Sequence, residues 1–170
     1  MDGSAENMDH AVRALHDREG KYLTFSLGDE EYGIGILKVK EIIGMMPITS
    51  VPQTESYVKG VINLRGKVIP VLDLRLRFGM AQAEYTERTC IIVVEFHGHG
   101  RSAMTGLVVD SVSEVLNIKA EEIEETPSFS GDVKTDYILG MAKMKGGVKI
   151  LLNIDKVLGR NDLDVDRIAA

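Results

Sequence analysis

Two stretches of this 170-residue chain are repeated later in the same order, which limits the fold more than any single motif does. Gly33-Ile34-Gly35-Ile36-Leu37-Lys38-Val39-Lys40-Glu41-Ile42-Ile43 aligns without gaps with Gly106-Leu107-Val108-Val109-Asp110-Ser111-Val112-Ser113-Glu114-Val115-Leu116. Gly, Val and Glu recur at matching places, and Ile34, Ile36, Ile42 and Ile43 meet Leu107, Val109, Val115 and Leu116. Residues 60–79 align in the same way with 140–159: Gly66 falls on Gly146, Val68 on Val148 and Leu72 on Leu152. Conserved order with coincident turn glycines marks duplication of one supersecondary unit. Each copy holds about five short strands over about seventy residues, a size at which one unit buries too little surface to be comfortably stable alone. Two copies sharing an apolar seam resolve that difficulty. The expectation is an all-β chain of two tandem five-stranded β-barrels with one or two short helices.

The local patterns agree. Leu23, Phe25 and Leu27 alternate with polar neighbours, Gly28-Asp29-Glu30-Glu31 is turn chemistry, and Tyr32, Ile34 and Ile36 resume the alternation, so this segment reads as a hairpin. Ile36, Val39 and Ile43 fall at helical spacing and predict a short helix over 37–43. Pro47 and Pro52 bracket an extended edge segment. Apolar arms flank Arg65-Gly66-Lys67, with Gly66 where a positive φ is needed. Residues 80–88 form a polar connector, 89–96 a strand, and Met104–Val109 its partner across His97-Gly98-His99-Gly100. A loop with one helical turn near Glu121 leads to a closing hairpin from Tyr137 to Ile154. These readings divide the chain into a tail (1–20), a first barrel (21–82), a second barrel (83–160) and a C-terminal tail (161–170), with strand or tail exchange between the barrels allowed.

Composition narrows the function. The formal charge of −6, the 5% aromatic content and the lack of Trp disfavour a nucleic-acid reader, which needs basic grooves and stacking platforms. The single cysteine, Cys90, leaves no disulfide framework and no thiolate cage, and its setting in Thr89-Cys90-Ile91-Ile92 reads as a buried strand. No export signal or apolar run of membrane-spanning length is present, so a cytoplasmic location is expected. No HExxH, GxSxG, Walker or GxGxxG pattern occurs. Asp162, Asp164 and Asp166 imitate a calcium loop, but Arg167 stands where Gly is required. His97 and His99, flanked by glycines, read as a hairpin tip. No catalytic residue, metal site or cofactor is expected.

Interaction features remain. Arg65 sits at a tight turn beside an apolar hairpin, and Arg suits interface hot spots because its planar fork bonds directionally while its stem packs. Exposed members of Ile36, Val39, Ile42 and Ile43 would offer a groove to a partner helix.

Leu27-Gly28-Asp29-Glu30-Glu31-Tyr32-Gly33-Ile34 with Ile36-Leu37-Lys38-Val39-Lys40-Glu41-Ile42 resembles the opening of the CheW chemotaxis coupling family. Lys59-Gly60-Val61-Ile62-Asn63-Leu64-Arg65-Gly66 with Ile69-Pro70-Val71-Leu72-Asp73-Leu74-Arg75 resembles its most distinctive motif. Gly106–Asp110 with Val112–Leu116, Tyr137–Gly140 and Ile150–Ile154 are similar to its second half. The resemblance spans roughly residues 20–160. It implies two SH3-like barrels and an adaptor bridging the cytoplasmic tip of methyl-accepting chemoreceptors to the regulatory domain of the CheA histidine kinase. It also implies a receptor-facing groove containing Ile36, Val39, Glu41, Gly60, Asn63, Arg65, Cys90 and Val115. The Met- and Lys-rich hairpin at 140–147 departs from the family pattern. A paralogue serving a non-chemotactic receptor array, and a small-barrel nucleic-acid binder, are the alternatives.

Overall fold

A computed structural model describes residues 18–98, 100–127 and 135–159. The tail expected at 1–20 up to residue 17, His99 of the expected hairpin tip, and residues 160–170 with the calcium-loop imitation lie outside them. Eleven strands are present among the described residues: β1 (Gly20–Leu27), β2 (Glu30–Gly35), β3 (Val39–Gly44), β4 (Val58–Leu64), β5 (Lys67–Asp73), β6 (Cys90–Gly98), β7 (Arg101–Val109), β8 (Ser111–Ile118), β9 (Ile123–Glu124), β10 (Ile138–Met144) and β11 (Gly147–Leu152). Two helices of about one turn, α1 (Leu74–Arg77) and α2 (Ile154–Leu158), follow β5 and β11 directly. Each is started by a side-chain cap. Asp73 accepts from the N–H groups of Arg75 and Leu76, and Asn153 from that of Lys156.

The all-β expectation holds, with one sheet of six strands and one of five. The first runs β8-β1-β2-β11-β10-β9, and the second β3-β6-β7-β5-β4. Under the repeat, β1 and β2 correspond to β6 and β7, β3 to β8, and β4 and β5 to β10 and β11. The two sheet orders are then the same order. Even the parallel joints match, β5 beside β7 and β11 beside β2. The sixth strand β9 has its counterpart in a lone bridge between Thr49 and Val61. Each copy therefore lends its first hairpin to the sheet completed by the other. The division by residue number at 82/83 does not coincide with sheet membership: β1 and β2 lie in the sheet otherwise built from residues 111–152.

The strand faces explain why. Strands between two cores need apolar residues on both sides, and β6 supplies them. Ile91 and Val93 face one cluster with Ile62, Ile69, Val71 and Val108; Ile92, Val94 and Phe96 face another. The first cluster fills the five-stranded sheet. Tyr22, Ile118, Ile123, Ala142 and Leu151 fill the six-stranded one. Between them lies the expected seam, built from Leu23, Phe25, Leu27 and Ile34 on one side and Leu72, Ile92, Leu107 and Val109 on the other, closed by Ile154, Val157 and Leu158 of α2. Stacked rings run along it: Phe25–Tyr32, Tyr32–Phe78 and Phe78–Tyr137, with centroids 5.8, 5.8 and 5.4 Å apart.

One local expectation fails. The helix expected over 37–43 is a single 3₁₀ turn, Ile36–Lys38, followed by strand β3. Val39, Glu41 and Ile43 are its half-buried positions, and the charged Glu41 among them interrupts the apolar alternation.

Candidate functional site

The β4–β5 turn is set by two residues with positive φ, Arg65 at 51° and Gly66 at 85°, the arrangement that matches hairpin twist. Asn63 supports it by accepting the Gly66 N–H at 2.8 Å. With its backbone so fixed, the Arg65 side chain reaches across to β3 and pairs with Glu41, while remaining 71% exposed. Asn63, Arg65 and Glu41 thus form one surface cluster. The equivalent turn in the second copy, Lys145-Gly146, carries Lys143 in the place of Asn63, and Lys143 pairs with Glu124 at 2.7 Å. The planar fork is confined to the first copy.

Ile36 and Val39 are half-buried and pack against the seam. Val39 stands opposite Val94, whereas Gly44, at the other end of β3, stands opposite Cys90. Cys90, expected within a buried strand, is only half-buried because it stands at the first position of β6, ahead of the buried run Ile91–Val94, and its thiol donates to the Arg88 carbonyl at 3.2 Å. It opens on a cleft of about 470 Å³ lined by Ser26, Arg88 and residues Ser111, Val112 and Ser113. Val115 is exposed on β8 opposite Leu23, and no described contact joins it to Arg65 or Val39.

Gly60 is buried at φ 141°, and a Cβ there would lie 2.0 Å from the Thr49 carbonyl oxygen. This residue lets the chain close the barrel; it presents no side chain to a surface. Of the four apolar candidates beside the first hairpin, Ile42 is exposed and Ile43 packs into the five-stranded core. Leu37, at 92%, is the most exposed large apolar residue among those described, and sequence reasoning did not single it out. Its polar flank is ordered: Lys38 pairs with Asp155 at 2.8 Å, and Asp155 also accepts the His97 N–H at 3.0 Å. Burial opposes ionisation of Asp155, yet the Lys38 ammonium, the His97 N–H and the nearby charges hold its carboxyl below the usual range. Hydrogen bonds from Lys40 and Ser102 bring Glu95 down to about 2. These groups work as pairs and caps.

Exposed apolar side chains, a directional guanidinium at a rigid turn and open clefts on a fused double barrel define a module for contacts between proteins. The profile of the CheW-like domain matches residues 21–162. The chain is 40% identical to a chemotaxis protein CheW from Klebsiella aerogenes, over 88% of each. It is 36% identical to the chemotaxis protein CheW of Rhizobium meliloti, covering 88% of this chain and 94% of that one. The crystal structure of the scaffolding protein TtCheW from Thermoanaerobacter tengcongensis superposes with a TM-score of 0.73 at 35% identity, covering 85% of this chain and 95% of that one. The chain belongs to the CheW-like domain family, and it is a chemotaxis coupling adaptor.

Proposed function

We propose that this adaptor works in the cytoplasm, bridging the tip of methyl-accepting chemoreceptors to the regulatory domain of the CheA histidine kinase without a chemical step of its own. Such a protein transmits a signal only if its contacts differ in energy between two signalling states. The observation that carries the reading is the Arg65 cluster. The guanidinium is exposed, held by Glu41 and mounted on a backbone turn fixed by Asn63, so little freedom is left to lose on binding. Receptor contact is assigned to Glu41, Asn63 and Arg65 with Ile36 and Val39 beside them, and the same reading takes in Cys90 on the five-stranded sheet and Val115 on the six-stranded one. Gly60 contributes by shaping β4.

Arg65→Ala tests it. Loss of an Arg hot spot costs about 2 kcal/mol, about thirtyfold in Kd, for a receptor-tip fragment titrated calorimetrically. An exposed ion pair contributes only about 0–1 kcal/mol to folding, so the unfolding midpoint should barely move. Unchanged affinity would refute the site. A parallel pull-down with the kinase regulatory fragment separates a chemotaxis coupler from a paralogue serving another array.

A further inference from the structure

Two short crossings carry the chain from a hairpin in one sheet to the next strand in the other. Ile36–Lys38 leads from β2 to β3, and Asp110 alone separates β7 from β8. At the second crossing the Asp110 carboxylate accepts from Arg75, the second residue of α1, and from the Gly28 N–H at 2.8 Å. At the first crossing the carboxylate is Asp155, the second residue of α2, which accepts from Lys38 at 2.8 Å and from the His97 N–H at 3.0 Å. The repeat makes these one joint built twice. Residue 155 aligns with 75, and Lys38 stands one place beyond the position that aligns with Asp110. Leu27, opposite Glu30, matches Phe96, opposite Ala103, so the residues that follow them, Gly28 and His97, match too. Cation and carboxylate have exchanged places between helix and crossing, yet the joint and its backbone donor are kept. We propose that Lys38 and Asp155 are positioning residues for receptor binding, whose pairing holds the first crossing in the geometry that presents Ile36 and Val39.

The surroundings give the pair that task. No residue of the Ile36–Lys38 turn is buried and Leu37 is almost fully exposed, so apolar burial ties the turn down only in part. Among the described residues Lys38 makes the turn's one ion pair, and Asp155 stands on a helix anchored by the buried Ile154, Val157 and Leu158. The turn then runs straight into β3. The Val39 N–H donates to the Ile36 carbonyl, and the register of β3 on β6 shifts between Val39 and Glu41. A displacement of Lys38 therefore reaches Val39 before the ladder with β6 becomes regular. The two crossings are also held unequally. Arg75 grips Asp110 through two N–H groups, whereas Lys38 offers one ammonium and is 34% exposed, as is its partner. The lighter clamp is the one beside the receptor-facing residues. This role rests on the receptor assignment of Ile36 and Val39.

Titration of the full-length protein with a receptor-tip fragment, together with amide exchange, decides it. Lys38→Met and Asp155→Asn should each weaken binding about three- to fivefold, the factor to which a partly exposed ion pair amounts. The amide oxygen of the second variant can still accept the His97 N–H. Combined, the two substitutions should weaken binding no further than either alone, because both remove the same pair. Lys38→Arg should bind as the native chain does. Exchange of the Val39 N–H should quicken by a similar factor in both single variants. Losses that multiply to about tenfold or more in the double variant would mean that the side chains touch the receptor themselves, and would overturn the proposal. Native affinity in either single variant, or unchanged Val39 exchange, would overturn it as well. Arg65→Ala, titrated alongside, keeps the two readings apart. If it weakens binding while the pair variants do not, only the positioning role is lost; if none of them does, the receptor assignment is lost too.

Discussion

Replacing Gly60 with Ala should destabilise the whole molecule far more than one added methyl suggests. At φ 141° an L-residue occupies backbone space that is essentially reserved for glycine, at a cost of about 1–3 kcal/mol. The new Cβ would also sit 2.0 Å from the Thr49 oxygen and 2.7 Å from its carbonyl carbon, and backbone cannot give way as a flexible side chain can. The Thr49–Val61 bridge must open, losing two hydrogen bonds of 2.9 Å that contribute about 1 kcal/mol each. The sum is about 3–5 kcal/mol, a large share of the ~5–15 kcal/mol that holds a typical domain. With a urea slope of ~2 kcal/mol per molar, the midpoint should fall by about 1.5–2.5 M. Gly140, the equivalent residue, supplies the control. Its added Cβ would meet the Ile123 Cγ2 at 2.8 Å and the Glu124 oxygen at 3.0 Å, and the first of these can shift. Gly140→Ala should therefore cost about 1–2 kcal/mol. A loss below about 1 kcal/mol for Gly60→Ala, or a smaller loss than for Gly140→Ala, would refute the reasoning.

Two more perturbations probe the joints. Asp110 accepts from Nε and Nη2 of Arg75, each at 2.7 Å, and from the Gly28 N–H at 2.8 Å, and the Arg75 hydrogen bonds hold its carboxyl below the usual range. A depressed folded value stabilises above the unfolded pKa of about 3.9, and that stabilisation is lost as pH falls through the folded value. The gap in urea midpoint between the native chain and Asp110→Asn should accordingly be wide at pH 7 and shrink below about pH 4; an equal gap at pH 7 and pH 3 would contradict the assignment. Leu158→Ala, at a fully buried seam position, should cost about 2–5 kcal/mol. Tyrosine fluorescence and far-ultraviolet dichroism should still report one coincident unfolding transition, and separated transitions would show that the barrels melt independently.

Much of this architecture was legible because turn chemistry and duplication leave local marks. Arg65-Gly66 and Lys145-Gly146 end hairpins wherever they stand in space, and the matched Gly60 and Gly140 answer to matched backbone crowding from Thr49 and Glu124. The 3₁₀ turn and strand at 36–44 carry a helix-like pattern because Glu41 occupies an inward position, leaving Ile36, Val39 and Ile43 at spacings that also suit a helix. The exchange of hairpins was written only in the two-sided apolar run Ile91-Ile92-Val93-Val94, which demands two cores without saying which strands complete them. The candidate site was legible in part. The Asn63–Arg65 motif gave its sequence positions, but the Glu41 pairing joins residues 24 apart along the chain, and no local pattern announces it. The exposure of Leu37 depends on what covers the turn, which is a property of distant segments.

The lent hairpins bear on how an adaptor of this design can move. In a protein of two beads on a string, the linking peptide is the hinge, and each bead can turn while the other stays still. Here the connector at 80–88 is not the joint, because β1 and β2 are already woven into one barrel and β6 and β7 into the other. Bending the molecule at its waist would mean opening the apolar seam that the two sheets share, against the short crossings of the chain at Ile36–Lys38 and Asp110. A push delivered to one end therefore arrives at the other as a tilt or shift of the entire body, and the molecule behaves as a strut.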